Sequence, residues 1–145
     1  MYFPRPLAMG VALALLAGST LAASPTSPAE LQAAWLAEAR QSNPALRAFS
    51  AERGRSFFST THGSDWSCAS CHTNNPGQGG AHAVTRKLIE PLAPAANPRR
   101  FSDAAKVDKW FGRNCKDVLG RACTPEEKGD LLAYLLTVKP WGAMP

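Results

Sequence analysis

The sequence predicts an all-α protein. Ser27-Pro28-Ala29-Glu30 and Thr124-Pro125-Glu126-Glu127 are capping boxes with proline at the first helical position. Apolar residues recur at helical spacing after each box. Leu31, Ala34 and Trp35 follow the first, and Leu131, Leu132, Leu135 and Leu136 follow the second. No stretch reads convincingly as a strand, and no internal repeat is present.

The elements follow in chain order. Residues 1–23 read as a secretory signal. Arg5 supplies a weak positive region, and Leu7 to Ala17 is an apolar run too short to span a bilayer. Small residues offer cleavage near Ala22 or Ala23. Residues 24–44 are a Pro/Ser/Thr linker and an N-terminal helix, Pro28 to about Gln41, stopped by Asn43-Pro44. Residues 45–145 form the main domain. A second helix is expected from about Ala45 to Phe58, with Leu46, Phe49, Phe57 and Phe58 apolar. Gly54 inside it costs about 1 kcal/mol against alanine, so a close approach by another helix is expected there. The last helix is the candidate partner.

Thr60 to Ser67 reads as a loop, with His62 at the surface. Asn74 to Gly80 is turn material, followed by His82. Leu88 to Pro98 carries Pro91, Pro94 and Pro98 and is expected to be an ordered, non-helical loop. Ser102 or Asp103 caps a helix to about Asn114, in which Trp110 and Phe111 pack. The last helix runs from Pro125 to about Val138, ended by Pro140.

The formal net charge is +5. No Lys/Arg block is present, which argues against nucleic acid. A mildly basic surface suits an acidic partner or a membrane surface.

One stretch carries the chemistry. Cys68-Ala69-Ser70-Cys71-His72 is C-x-x-C-H, the attachment sequence for c-type haem. Thiols three residues apart lie about one helical turn from each other, so both can bond the vinyl groups on one porphyrin edge. The following imidazole then ligates the iron. Two alternatives are weaker. A thioredoxin-like pair follows a strand, and none precedes Cys68. A zinc ribbon needs a close second pair, and Cys115 and Cys123 are spaced C-x7-C. Haem attachment also requires export, in agreement with the signal, so the periplasm is the expected location. Arg86, Lys87, Arg99 and Arg100 are solvated charges, with one or two expected near haem propionates.

The sixth iron ligand stays open on the residues alone. Ordinary class I cytochromes use methionine. Past the signal the only one is Met144, penultimate in the chain and beyond Pro140. Asn114, His82, His62, a lysine and water compete.

A glycine-containing helix before C-x-x-C-H, with a Leu/Tyr-rich final helix, resembles the class I cytochrome c fold. There the first and last helices cross, and here Gly54 and Phe57 or Phe58 would meet Tyr134 and Leu135. Ile89-Glu90-Pro91-Leu92-Ala93-Pro94, Asn97-Pro98-Arg99-Arg100-Phe101, the stretch Val107 to Cys115, and Leu119 to Thr124 resemble the sphaeroides haem protein family more closely. The likeness covers about Arg53 to Val138 and leaves the N-terminal helix outside, as a candidate partner surface. The resemblance implies one covalent haem c. It implies Asn114 as the sixth ligand and a disulfide between Cys115 and Cys123. It implies a redox partner, such as a dihaem cytochrome c or a membrane cytochrome b, with a monomer as the expected state. The expected function is electron transfer, with a displaceable Asn114 that admits O2, NO or CO in the ferrous state. A gas-binding module without a carrier role is the alternative. A small O2 or NO reductase is the weakest reading, because the sequence supplies no dedicated acid–base pair.

Overall fold

The computed structural model describes residues 26–140 and Gly142. The export signal expected over residues 1–23, and Met144, lie outside the described residues.

Helix α1 spans Pro28–Ser42. Ser27 Oγ accepts the Glu30 backbone N–H at 3.2 Å, and the Glu30 carboxylate accepts the Ser27 N–H at 2.8 Å. The reciprocal pair satisfies donors that a helix start leaves open. Leu31, Trp35 and Ala39 repeat every four residues and form its buried stripe.

Helix α2 spans Ala51–Ser59 and begins later than the expected Ala45. Leu46 and Phe49 fit a helical period, but local hydrogen bonds take the chain elsewhere. The Leu46 N–H donates to Asn43 O at 3.0 Å. The Arg40 guanidinium donates to the carbonyls of Leu46 and Arg47, each at 3.0 Å. Ser50 then caps α2 by accepting the Arg53 N–H at 3.2 Å.

Helix α3 is the short Cys68–His72. Strands β1 (Gly80–Ala81) and β2 (Leu88–Ile89) pair antiparallel, with Gly80 opposite Ile89 and Ala81 opposite Leu88. Two-residue strands show no alternation in sequence, and they leave the fold all-α. Helix α4 spans Ala104–Leu119, capped by Asp103 through the Lys106 N–H at 3.0 Å. It runs past Asn114, where an end was expected, and stops at Gly120 with φ 71°. Helix α5 spans Pro125–Thr137, with Val138 as its C-cap.

The core forms around α5. Its Leu131, Leu132, Tyr134 and Leu135 cluster with Phe58 of α2, Leu31 and Trp35 of α1, Val107 of α4, and Phe101. Full burial of side chains such as Phe58 and Leu132 contributes roughly 1.5–3 kcal/mol each. At the α2–α5 crossing, a Cβ on Gly54 would collide with the backbone carbonyl of Asp130. The Phe58 and Tyr134 rings lie 5.5 Å apart beside it. Phe57 turns away from α5 and stacks on His62 at 4.5 Å. The crossing thus uses Gly54, Phe58 and Tyr134 of the expected set, with the Asp130 backbone as the direct contact of Gly54.

An ion pair fastens the same crossing. Asp130 is buried, and Arg53 donates to both its oxygens, Nε to Oδ2 at 2.6 Å and Nη2 to Oδ1 at 2.8 Å. The Ser50 N–H adds a third bond at 2.7 Å. Helix α1 belongs to the core as well. Trp35 meets Phe111 of α4 edge-on at 5.4 Å, and the Lys128 ammonium lies 5.3 Å from the Trp35 ring centroid. Its apolar face is therefore covered by its own chain.

Candidate haem site

The loop before α3 is anchored at both ends. His62 is half-buried, and its Nε2 donates to Phe57 O at 2.8 Å. A carbonyl only accepts, so Nε2 carries the proton in the neutral ring. The surface role expected for His62 gives way to this structural one. At the other end, Ser64 Oγ donates to Val118 O at 2.7 Å, which ties the loop to the last turn of α4.

Five residues are too few for an isolated helix, so α3 depends on its surroundings. Inside it, the Ser67 N–H donates to Ser70 Oγ at 2.9 Å. Outside it, the β1–β2 hairpin presses on its end. The Ala83 N–H donates to Cys71 Sγ at 3.3 Å. Gly80 lies so close to the Cys71 carbonyl that a Cβ would overlap it. The Pro76 carbonyl accepts the N–H groups of Leu92 and Ala93, both at 2.9 Å, and joins the turn after α3 to the proline-rich loop. By sequence, Gly79-Gly80 is turn material. The contact against Cys71 pairs residues distant in sequence, and local pattern carries no signal for it.

Cys68 and Cys71 are half-buried, unpaired thiols one turn apart. Burial pushes the Cys68 thiol up to about 11. Burial, with the Arg100 charge second, holds the His72 imidazole down at about 4. The ring is therefore neutral at neutral pH, and its lone pair is available to a metal. Arg100 sits in the proline-rich loop, donating to Pro91 O at 3.0 Å and Glu90 O at 2.9 Å. Arg99 pairs with the Glu90 carboxylate at 2.9 Å. These two of the four cations considered for propionates thus have protein partners.

His82 lies in the hairpin turn. Its Nδ1 accepts the N–H groups of Val84 at 3.3 Å and Thr85 at 3.2 Å. The proton of the neutral ring is then on Nε2. Both histidines outside the motif thus shape backbone.

Asn114 lies inside α4. At about 100° per residue it falls on the stripe of Val107, Phe111 and Val118. Val107 and Val118 are buried and Phe111 packs against the core, whereas Asn114 is exposed. Its side chain makes no hydrogen bond to another described residue. The neighbouring Cys115 is buried, with its sulfur within bonding distance of Cys123 Sγ and a Cα–Cα separation of 5.5 Å. That separation suits a disulfide.

The donor set fits a c-type haem. Two free thiols one turn apart precede a neutral imidazole, on a helix end shaped by Gly80. A four-cysteine zinc site is ruled out by the pairing of Cys115 with Cys123. Among the described residues, no group of three or more His, Cys, Asp or Glu side chains is placed to hold a metal ion. Dithiol catalysis wants a depressed cysteine, and Cys68 shifts the other way.

Comparison with known proteins agrees. Residues 44–135 match a family described as a domain of unknown function (DUF1924). The chain is 48% identical over 126 residues to cytochrome c-type protein SHP of Cereibacter sphaeroides, spanning 84% of this chain and 92% of that one. It is 47% identical over 103 residues to cytochrome c'' of Methylophilus methylotrophus, spanning 68% of this chain and 72% of that one. Oxidised cytochrome c'' superposes with a TM-score of 0.72 at 42% identity, covering 78% of this chain and 96% of that one. Oxidised SHP, described as an oxygen-binding cytochrome c, gives 0.67 at 47% identity, covering 76% and 96%. Residues 45–145 are about 70% of the 145-residue chain. The likeness to both structures therefore extends to residues before Ala45, beyond the Arg53 limit expected from motifs. On these grounds the chain belongs to the DUF1924 family, with SHP and cytochrome c'', as a monohaem c-type cytochrome of the all-α cytochrome c-like fold carrying one covalent haem c.

Proposed function

We propose that this chain is an exported electron-transfer cytochrome whose sixth iron ligand, Asn114, gives way to O2 or NO on reduction. Cys68 and Cys71 would form the thioether links, and His72 would be the permanent iron ligand. The carrying observation is the position of Asn114, a polar, exposed residue on the otherwise buried stripe of α4. Two relatives support the reading. SHP is described as oxygen-binding, and the solution structure of cytochrome c'' addresses haem-ligand detachment.

The bound haem supplies one-electron chemistry and an iron position for a diatomic gas. The chain sets the rest. Burial keeps His72 neutral and ready to ligate. The Asn114 carboxamide oxygen is neutral and hard, so it favours ferric over ferrous iron. Released, its NH2 is a hydrogen-bond donor at the same place. Cys115, tied to Cys123, limits how far α4 can move. Export rests on the signal over residues 1–23, and redox partners rest on the carrier reading. The test is the absorption spectrum of the reduced protein with and without CO. The expected result is a high-spin ferrous spectrum that CO converts to low spin. A low-spin ferrous spectrum unchanged by CO overturns the role of Asn114.

A further inference from the structure

The outer face of α4 has no role in the fold or in the site described above. At about 100° per residue, Lys106, Lys109, Arg113 and Lys116 fall within about 80° of helix circumference. All four are exposed, and no acidic residue shares that arc. Lys106 pairs with Asp103 at 3.1 Å; Lys109, Arg113 and Lys116 have no ion-pair partner among the described residues. Asp117 lies at the edge of the arc, and Asp108 on the other side of the helix. Trp110 stands between the basic arc and Asn114. It is 47% exposed, and the Arg113 guanidinium lies 5.4 Å from its ring centroid. Trp110 and Asn114 are four residues apart, so their side chains are neighbours on the helix. The order around α4 is basic arc, Asp117, indole, Asn114, core.

We infer that this face docks an acidic electron-transfer protein, with Trp110 as the apolar contact at its centre. The inference rests on the carrier reading proposed above. A positive arc steers a negative partner and speeds encounter. Trp and Arg are among the residue types enriched at binding hot spots. A membrane is the poorer occupant. An interfacial helix presents a whole apolar stripe to lipid, and the apolar stripe of α4 is directed to the core. Docking here brings the partner within one side chain of Asn114, so partner binding and ligand release share a helix face.

The test is stopped-flow reduction of the ferric holoprotein by a net-negative [2Fe–2S] ferredoxin, with neutral hydroquinone as the small-molecule control. Lys109→Glu, Arg113→Glu and Lys116→Glu together should slow ferredoxin reduction at least tenfold at low ionic strength and flatten its salt dependence. Hydroquinone reduction should stay unchanged. Arg47→Glu, Arg55→Glu and Lys139→Glu together make the same net-charge change on exposed residues elsewhere, and should cost less than threefold. Trp110→Ala should slow ferredoxin reduction while keeping the wild-type salt dependence. Equal losses in the two triple variants overturn the docking face, since net charge then explains the rate. So does a wild type that hydroquinone reduces and ferredoxin does not, which leaves the carbon monoxide result untouched. Wild-type protein that sediments with anionic phosphatidylglycerol vesicles, lost in the α4 triple variant while ferredoxin rates hold, assigns the face to lipid and also overturns it.

Discussion

Asn114 and Cys115 are adjacent in α4, and their side chains meet opposite environments. Cys115 is buried and held by Cys123, whereas Asn114 is exposed without a hydrogen bond to a described residue. A helix turns about 100° per residue, so neighbours at the margin of a buried face separate in this way. His62 and His82 were the rivals for the iron, and each holds backbone groups instead. For His82, ligation through Nε2 would move its proton to Nδ1 and cost both backbone bonds, whereas His62 holds Phe57 O through Nε2 with Nδ1 outside that bond. Asn114 has no such cost. Two variants follow. Asn114→Met places a soft thioether at the same position, which suits ferrous iron, so the reduced protein should become low-spin and unresponsive to CO. Asn114→Ala should turn the ferric spectrum high-spin and change stability by less than about 0.5 kcal/mol, as expected of an exposed position. Wild-type spectra from both variants would remove Asn114 from the iron.

At the scale of elements, two helical glycines should respond to alanine with opposite signs. A methyl group on Gly54 meets the Asp130 carbonyl, which is backbone and cannot rotate away. Gly54→Ala must therefore open the α2–α5 crossing and strain the Arg53–Asp130 fork, at a cost of about 1–3 kcal/mol. Gly112 lies inside α4 with nothing within 4 Å of its would-be Cβ. Gly112→Ala should stabilise by about 0.5–1 kcal/mol, because it lowers the entropy of the unfolded chain. Urea titrations of the two variants check both signs. A Gly54→Ala protein as stable as wild type would mean the crossing is looser than its geometry. The same contrast marks what the sequence made legible. Starts of α1, α4 and α5 were readable because Ser27, Asp103 and Thr124 act on residues three positions away. The starts of α2 and the end of α4 were not. Arg40 reaches forward to hold Leu46 and Arg47, and α4 continues through Asn114 and Cys115 to its left-handed cap at Gly120. C-x-x-C-H announces its chemistry in five residues. The seating of Cys71 against Gly80 and Ala83, and the exposure of Asn114 on a buried stripe, depend on tertiary contacts.

Across the whole molecule, α5 connects His72 with Asn114, the two sides of the proposed iron site. The Arg53–Asp130 fork and the Gly54 contact fix α2 on α5, and the loop after α2 leads to α3 and His72. On the other side, Asn114 precedes Cys115, Cys115 is tied to Cys123, and Cys123 directly precedes the Thr124 cap of α5. Arg121 braces this junction through both oxygens of Glu127, at 2.8 and 2.7 Å. The Ser64 bond to Val118 adds a direct link between the loop before α3 and α4. His72 and Asn114, the ligands proposed above, are thus connected through one shared helix, and the Cys115–Cys123 bridge is the covalent link in that path. The cysteines are eight residues apart in sequence. Closing so short a loop stabilises by about 2–3 kcal/mol in the chain-entropy model. Cys115→Ala with Cys123→Ala should lower stability by about that amount. It should also loosen the distal side alone. The ferric spectrum should shift partly to high spin, while CO binding to the reduced protein should change little, because Asn114 has already left the ferrous iron. Cys68 and Cys71 should keep their haem, seen as peroxidase stain on a denaturing gel. A variant that loses stability with an unchanged ferric spectrum would confine the bridge to a stabilising role and leave the position of Asn114 to the packing of α4.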